Sequence, residues 1–351
     1  MRLRIPSWQR RVLYLTVACV CLAALGTLAV VCIIGLRIES ARLPEFFGNQ
    51  EDKLAKMAEV KPDYFTFVAM GDIKGGTATF RELLSIAGQD KPAFGVILGD
   101  VVDDPWHICH KLLARKVTQT NVTFPLFVVV GNHDTDPNGP FRLSDYEQMY
   151  GASQFHFTIG RYLFIFLNNA PPYDATGEYL RFLEQTLSQH HKPDSVVFVF
   201  MHVAPSDLNG TIKTVGAKGS QQFMDLAKKF KIDYVLCGDH HGYVKGVIDE
   251  TTYIVTGGGG DRLRGDHGRF HHFTRIAVNH GQVTETVIAT KKKDETIYLL
   301  ERNVVNYVWP LMRRSALTIG LTAILAAMLV ALTCVAIRGS LRLRCSENDT
   351  R

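Results

Sequence analysis

Polar residues that can bind a metal ion follow five separate apolar runs in this chain of 351 residues. Each run is rich in β-branched and aromatic residues, which is typical of buried β-strands. Ligands in open α/β sheets collect beyond the carboxyl ends of such strands, so we expect these polar side chains to meet in one site. The residues that follow the five runs are Asp72, Asp100, Asn132 with His133, His202, and Asp239 with His240 and His241.

Carboxylate, amide and imidazole groups in one site predict binding of a divalent metal of the Mn, Fe, Mg or Zn type. Taken singly, an Asp after a strand is more often a helix cap or a turn residue, and a lone His is more often part of the core. The order of five such elements in one chain favours a common site over these separate explanations. The sequence therefore predicts metal-assisted hydrolysis.

The net charge bears on the kind of partner, and the length bears on the number of domains. The formal net charge is +5, and 46% of the residues are hydrophobic. So small an excess of base does not indicate nucleic acid as a partner. The length allows one large domain or two modest ones, and the sequence does not determine the oligomeric state.

Two apolar runs predict anchoring in a membrane. Residues 12–36 and 315–337 contain no charged residue, and a helix of roughly 20 such residues spans a bilayer. A cleaved signal peptide is the alternative for the first run, although its length favours an uncleaved anchor; a buried core helix is the alternative for the second. Arg residues are more frequent on the outer flanks of the two runs, which predicts that both termini are cytoplasmic and that the middle of the chain is not.

The two runs divide the chain into segments. Between them, helical patterns alternate with strand-like runs and are followed by shorter strands, which predicts a layered α/β architecture with mixed sheets. The predicted segments are a cytoplasmic N-terminus (1–11), a transmembrane helix (12–36), a helical stalk (37–62), a catalytic domain (63–290), a linker (291–314), a second transmembrane helix (315–337) and a cytoplasmic tail (338–351).

The order of the motifs resembles that of the calcineurin-like metallophosphoesterases. The chain has Gly-Asp at 71–72, Gly-Asp-x-x-Asp at 99–103, Gly-Asn-His-Asp at 131–134, an isolated His at 202 and Gly-x-x-His at 238–241. The resemblance covers residues 64–287. It implies a layered sandwich of two mixed β-sheets flanked by helices, to which we add one transmembrane helix at each end, and a two-metal site at the strand ends.

The resemblance also implies a role for each matching metal ligand. Asp72 and His241 would bind the first metal, Asn132 and His202 would bind the second, and Asp100 would bridge the two. Two cations at this spacing would neutralise a phosphate ester, acidify the attacking water and hold the phosphate for in-line displacement.

Two further residues would take part in catalysis. His133 matches a family residue that contacts the phosphoryl oxygen or the leaving group. The carboxylate of Asp103 would hold the imidazole of His133 in its working tautomer.

Two positions depart from the family pattern. Lys74 stands where the family has the His of Asp-x-His, and Asp239 stands where it has the first His of Gly-His-x-His. Asp239 can still bind a metal, and its hard oxygen favours Mn, Fe or Mg over Zn. Lys74 cannot bind a metal while it is protonated, so its role concerns charge or substrate.

Three interpretations of the site stay open. Both metals bind, and water or His240 fills the vacant position of the first. Alternatively, one metal binds and the ammonium group of Lys74 stands in for the other. In the third interpretation the site is degenerate and binds a phosphorylated ligand without turnover. The ligands of the single metal in the second interpretation are Asp100, Asn132, His202 and Asp239.

The sequence therefore predicts a membrane-anchored phosphatase or phosphodiesterase in which metal-bound hydroxide attacks phosphorus. Its substrate would be a phosphorylated small molecule or a lipid headgroup, and its cofactor one or two divalent metal ions. The alternative is a membrane-tethered binding protein that keeps the fold but does not hydrolyse its ligand. Metal content and turnover distinguish the two.

Overall fold

The computed structural model describes residues 7–314, apart from 121, 209, 211, 213 and 265–267, together with residues 320, 322–332 and 335. The chain divides into two compact units. We call Ser40–Leu300 the central domain, and we call Met1–Glu39 with Glu301–Arg351 the terminal unit.

Two mixed β-sheets form the middle of the central domain. The strands of the described residues are β1 (Tyr64–Met70), β2 (Phe94–Ile97), β3 (Leu126–Val128), β4 (Phe155–Ile159), β5 (Tyr162–Phe166), β6 (Val196–Met201), β7 (Tyr234–Cys237), β8 (Tyr243–Ile248), β9 (Thr251–Thr256), β10 (His271–Asn279) and β11 (Gln282–Thr290). The first sheet has the order β11-β10-β1-β2-β3, and the second has the order β4-β5-β6-β7-β9-β8. Strands β1, β2 and β3 are parallel, as are β5, β6, β7 and β9.

Helices cover the outer faces of both sheets. Between residues 7 and 314 the α-helices are α1 (Ser7–Glu39), α2 (Gln50–Ala58), α3 (Thr77–Gln89), α4 (His107–Val117), α5 (Leu143–Tyr150), α6 (Glu178–His190), α7 (Ala217–Phe230), α8 (Thr296–Asn303) and α9 (Trp309–Arg314), of which α1 and α9 belong to the terminal unit. Side chains of α3, α4 and α5 share a core with the first sheet. Side chains of α6 and α7 share another core with the second sheet.

The inner faces of the two sheets pack through aromatic rings. Phe67 of β1 stacks on Phe94 of β2 with 4.9 Å between ring centroids, and it meets Phe198 of β6 edge-on at 5.3 Å. All three are fully buried, and aromatic pairs of this geometry stabilise a core beyond the area they bury. The next residue along β1, Val68, faces the helices instead, as the period of two along a strand requires. This packing fixes the carboxyl ends of the two sets of parallel strands relative to each other.

The predicted architecture of two mixed sheets flanked by helices is confirmed. The compact unit is longer than the predicted domain, because residues 37–62 do not form a stalk. Phe47 and Met57 belong to the core, and Lys53 of α2 is buried. At the other end, Glu295 accepts hydrogen bonds from the amide groups at the start of α3. The central domain, Ser40–Leu300, is thus longer at both ends than the predicted segment 63–290.

The terminal unit contains a candidate membrane span. Within the residues that the structure describes, one helix, Val12–Glu39 in α1, is long and apolar enough to cross a bilayer. The predicted second span, 315–337, lies partly outside the described residues, and the part that is described contains a shorter apolar helix, Thr322–Leu332. The predicted cytoplasmic tail, 338–351, lies outside them altogether.

Candidate metal centre

The candidate site lies where the carboxyl ends of the parallel strands of both sheets meet. His202 directly follows β6 of the second sheet, and its Nδ1–H donates a hydrogen bond of 2.7 Å to the carbonyl group of Leu98 in the first sheet. The predicted ligands at the ends of β1, β2 and β3 therefore lie beside those at the ends of β6 and β7. They are Asp72, Asp100 and Asn132 in the first sheet, and His202, Asp239 and His241 in the second.

The backbone of four site residues has a left-handed conformation. The φ angles are +61° for Asp72, +37° for Lys74, +56° for Asp100 and +58° for Asp239. Non-glycine residues adopt this region at a cost of about 1–3 kcal/mol each, and such strain concentrates at functional sites. Main-chain hydrogen bonds hold it here, including that from the amide group of Lys74 to the carbonyl group of Asp100 at 3.1 Å. The sharp turns direct the side chains into one pocket.

Two glycines allow these loops to approach each other. A Cβ atom on Gly99, whose φ is +87°, would lie 2.4 Å from Nδ1 of His202. A Cβ atom on Gly131 would lie 2.1 Å from the amide nitrogen of Asp100. The glycines that precede the acidic and amide ligands are therefore required by close contact between strand ends.

Asp72, Asp100 and His241 form the first ligand group. Their ligand atoms lie within 4.8 Å of one another, and all three residues are buried. Nδ1–H of His241 donates to the carbonyl group of Arg262 at 2.8 Å, which leaves Nε2 at 3.4 Å from Oδ1 of Asp72. Among the described residues, neither carboxylate oxygen of Asp72 has a well-formed hydrogen bond, and Nε2 of His241 is the polar group beside it. Because buried polar atoms are nearly always satisfied, this carboxylate fits the role of a cation ligand.

The second ligand group surrounds Nε2 of His202. This nitrogen lies 3.1 Å from Oδ1 of Asn132, 3.4 Å from Oδ1 of Asp100 and 3.7 Å from Oδ1 of Asp239. Since Nδ1–H is engaged by Leu98, a neutral ring presents a lone pair at Nε2 to three oxygen acceptors. That arrangement is unfavourable unless a proton or a cation lies among these atoms. A divalent metal with nitrogen and oxygen ligands fits this group.

Lys74 lies on the other side of Asp100. Its ammonium group is 2.7 Å from Oδ2 of Asp100 and 3.7 Å from Oδ2 of Asp261, and the residue is 6% exposed. Burial lowers the pKa of Lys74, but the charges of Asp100, Asp72 and Asp261 outweigh this and raise the pKa above its ordinary value. These charges favour the ammonium form of Lys74 in the site.

The remaining ionisable groups show how strongly the site attracts positive charge. Burial raises the pKa of Asp72. For Asp100 burial acts in the same direction, but His202 and Lys74 outweigh it and lower the pKa to about 2. Burial lowers the pKa of His202, but the surrounding carboxylates reverse this effect and raise it. Burial thus favours a proton on Asp72 and the carboxylates favour one on His202, whereas Asp100 is the more strongly ionised carboxylate.

His133 lies at the half-buried edge of the site. Its amide group donates to Oδ1 of Asp100 at 3.0 Å, and its Nδ1–H donates to the main-chain carbonyl group of Asp103 at 2.9 Å. The tautomer is therefore fixed, with Nε2 left for proton transfer. The sequence analysis assigned this orienting role to the carboxylate of Asp103; in the structure a carbonyl group of the same residue has it. Oδ2 of that carboxylate accepts a hydrogen bond of 2.7 Å from the hydroxyl group of Tyr298.

The sequence analysis missed residues that support the ligands. The carboxylate of Asp134 accepts hydrogen bonds from the amide groups of Asp100 at 2.9 Å and Gly131 at 2.7 Å, so it ties together two of the ligand loops. Its position in the Gly-Asn-His-Asp motif was a usable signal. Asp261, directly after a glycine run, lies 3.4 Å from Nδ1 of His241. His240, the predicted substitute ligand, is half-buried and is not part of the metal-ligand group found among the described residues.

Solved structures of several proteins resemble this chain. A dimetal phosphatase from Danio rerio matches with a TM-score of 0.51 and 11% sequence identity, over 66% of this chain and 100% of that chain. GAP50, the anchor in the inner membrane complex of Plasmodium, matches with a TM-score of 0.48 and 15% identity, over 70% of this chain and 96% of that chain. No curated protein sequence matches significantly.

At such low sequence identity, similarity to a solved structure is evidence about the fold alone. A match to a family model is evidence about family membership. The model described as calcineurin-like phosphoesterase matches residues 65–243, just over half of the chain. The match begins in β1 and ends at the start of β8, so it includes every strand end that carries a predicted ligand. The chain belongs to the calcineurin-like phosphoesterase family.

Proposed function

We propose that this protein is a metal-dependent phosphoester hydrolase that acts at a membrane surface. Membership of the family indicates a hydrolase of the phosphoesterase superfamily that uses divalent metal ions. The observation that carries the proposal for this chain is the position of Nε2 of His202 among three oxygen atoms, because a divalent metal ion, like a proton, would satisfy that arrangement. The candidate metal ligands form two groups that share Asp100, and a single ion would use one of them: Asp72, Asp100 and His241, or Asp100, Asn132, His202 and Asp239.

The proposed chemistry divides between the metal and the chain. A bound divalent metal supplies Lewis acidity toward a phosphoryl oxygen and lowers the pKa of water. The ammonium group of Lys74 adds a fixed positive charge that stabilises negative charge developing on the phosphoryl group. The Nδ1–H of His133 is held by the carbonyl group of Asp103. As an imidazolium with a second proton on Nε2, this ring would give that proton to the leaving-group oxygen as the P–O bond breaks, and it would be left as the neutral Nδ1–H tautomer.

The ligand atoms favour hard metals. Oxygen atoms of Asp100, Asn132 and Asp239 surround a single imidazole nitrogen, that of His202. Carboxylate and amide oxygens suit Mn, Mg and Fe, whereas Zn prefers softer ligands. We therefore propose Mn, Fe or Mg as the natural metal.

The location and the substrate class extend the proposal. We propose that α1 anchors the chain and that residues 315–337 form a second span. The excess of Arg on the outer flanks of the two runs supports a central domain outside the cytoplasm. A phosphorylated small molecule and a lipid headgroup both fit a site held near a bilayer.

The test is turnover by the full-length protein in a mild detergent. Aryl phosphate monoesters and diesters are supplied with Mn, Mg or Fe(II), and the wild type is compared with His133→Ala. His190→Ala, which changes an exposed histidine at the end of α6, is the matched control. We expect hydrolysis by the wild type and the control, and a decrease of about 100-fold in His133→Ala. Metal binding without hydrolysis above the His133→Ala level would overturn the proposal in favour of a binding protein.

A further inference from the structure

One half of the metal centre already contains a cation. The ammonium group of Lys74 lies 2.7 Å from Oδ2 of Asp100, a member of the first ligand group, and the charges of Asp72 and Asp261 also act on it. An ammonium group in this position offsets the charge of Asp100, a carboxylate that a metal in the first ligand group would also use.

Lys74 is not free to leave this position. Its side chain is 7% exposed, and the preceding residue, Ile73, is fully buried. The amide groups of Ile73 and Lys74 both donate to the carbonyl group of Asp100, at 2.9 Å and 3.1 Å. A metal that entered the first ligand group would therefore lie beside a trapped ammonium group of like charge, and the two would share one carboxylate.

The other half of the centre has ligands but no cation of its own. Asp100 turns its second oxygen, Oδ1, toward Nε2 of His202, which is 3.4 Å away. Asn132 and Asp239 complete this group. The carboxylate of Asp100 thus connects an ammonium group on one side with a set of metal ligands on the other.

We propose that the centre is mononuclear, with the ammonium group of Lys74 permanently in the place of a first metal. The single divalent ion binds at Asp100, Asn132, His202 and Asp239. This proposal rests on the proposed function. It assigns the position of one metal ion to the ammonium group of Lys74.

The metal content of the full-length protein tests the proposal directly. Protein in detergent is loaded with Mn(II), freed of unbound metal by gel filtration, and analysed by elemental mass spectrometry and by electron paramagnetic resonance. We expect one Mn per wild-type chain with the spectrum of an isolated ion. We expect two in Lys74→His, with the spectrum of a spin-coupled pair. Lys91→His is the matched control, because Lys91 is exposed and also has a positive φ of +46°; it should keep one.

Ligand variants assign the bound ion to one half of the centre. In the wild-type background, His202→Ala should lose the Mn, whereas Asp72→Asn should keep it. In the Lys74→His background, Asp72→Asn should remove one Mn of the two. These comparisons remain decisive if Lys74→His fails to fold, which far-ultraviolet circular dichroism would show.

The possible failures are distinguishable. Two Mn in the wild-type chain, or retention by His202→Ala with loss from Asp72→Asn, would overturn the mononuclear assignment and leave the hydrolase proposal in place. If the wild type showed no Mn binding and no turnover, that result would overturn the proposed function itself.

Discussion

The buried Lys53 of α2 should make the stability of the central domain depend on pH. Lys53 is 1% exposed, and its ammonium group donates to the carbonyl groups of Phe47 at 2.9 Å and Leu126 at 2.8 Å. Leu126 begins β3, the strand that leads to Asn132. Burial lowers the pKa of Lys53 from 10.5 to about 7. We therefore expect the Lys53→Met variant to reveal a titration in the wild type.

The size and sign of the effect follow from this pKa. Between about pH 7 and 10.5 the unfolded chain carries a proton on Lys53 and the folded chain does not. The free energy of unfolding of the wild type therefore increases with pH in this window, by about 1.4 kcal/mol per pH unit. The variant has no group to titrate at this position. Between pH 7.5 and 9.5 the wild type should gain about 2–3 kcal/mol relative to Lys53→Met.

Urea unfolding followed by circular dichroism measures this difference. Full-length wild type and Lys53→Met are compared in detergent at pH 7.5, 8.5 and 9.5. Lys56→Met, an exposed lysine on the same helix, is the matched control, and its difference from the wild type should stay constant. A difference between wild type and Lys53→Met that does not change over this range would refute the reasoning, because it would mean that Lys53 keeps its proton in the folded state.

Two further predictions concern the edge of the site. Tyr298→Phe removes the hydrogen bond to Oδ2 of Asp103, so kcat should fall about 5-fold, equivalent to about 1 kcal/mol, with unchanged Mn content; loss of Mn would contradict a role limited to Asp103 and His133. Gly76→Ala places a Cβ atom 2.0 Å from the main-chain oxygen of Gly260, so the urea midpoint should decrease by an amount equivalent to about 1–3 kcal/mol. Gly216→Ala, where a Cβ atom meets nothing within 4 Å, is its control, and equal midpoints in the two variants would contradict the close contact.

The sequence predicted which side chains meet because the end of a strand is recognisable from a short run of residues, and the sheet then brings several such ends together. A run such as the one before Asp100 reads as a buried strand, and parallel strands bring their carboxyl ends to one edge. The family motifs then supplied the order of the ligands. The structure brings all six predicted ligands into two adjoining groups that share Asp100.

Other features depend on tertiary contacts that no short motif encodes. The group that orients His133 is the main-chain carbonyl of Asp103. Because every residue has a main-chain carbonyl, the sequence pattern does not reveal that this group, and not the Asp103 carboxylate, binds the ring. Lys53 reads as a solvated charge in a polar helix, yet the carbonyl groups that receive it lie 6 and 73 positions away. The domain boundary was placed too late for the same reason, since a packed helix with a buried lysine has the composition of a stalk.

The two departures from the family pattern become one feature when their positions are compared. Lys74 adds a positive charge beside Oδ2 of Asp100, and Asp239 adds a negative charge to the group at Oδ1. Each change alone would alter the formal charge of the centre by one unit, and together they leave it unchanged. Lys74 places a positive charge in the first ligand group. Asp239 places a negative carboxylate, which can bind a metal, in the second. Substitutions scattered by loss of function would not be expected to compensate each other in charge within one centre, so the pair favours a centre adapted to a single metal over a decayed one.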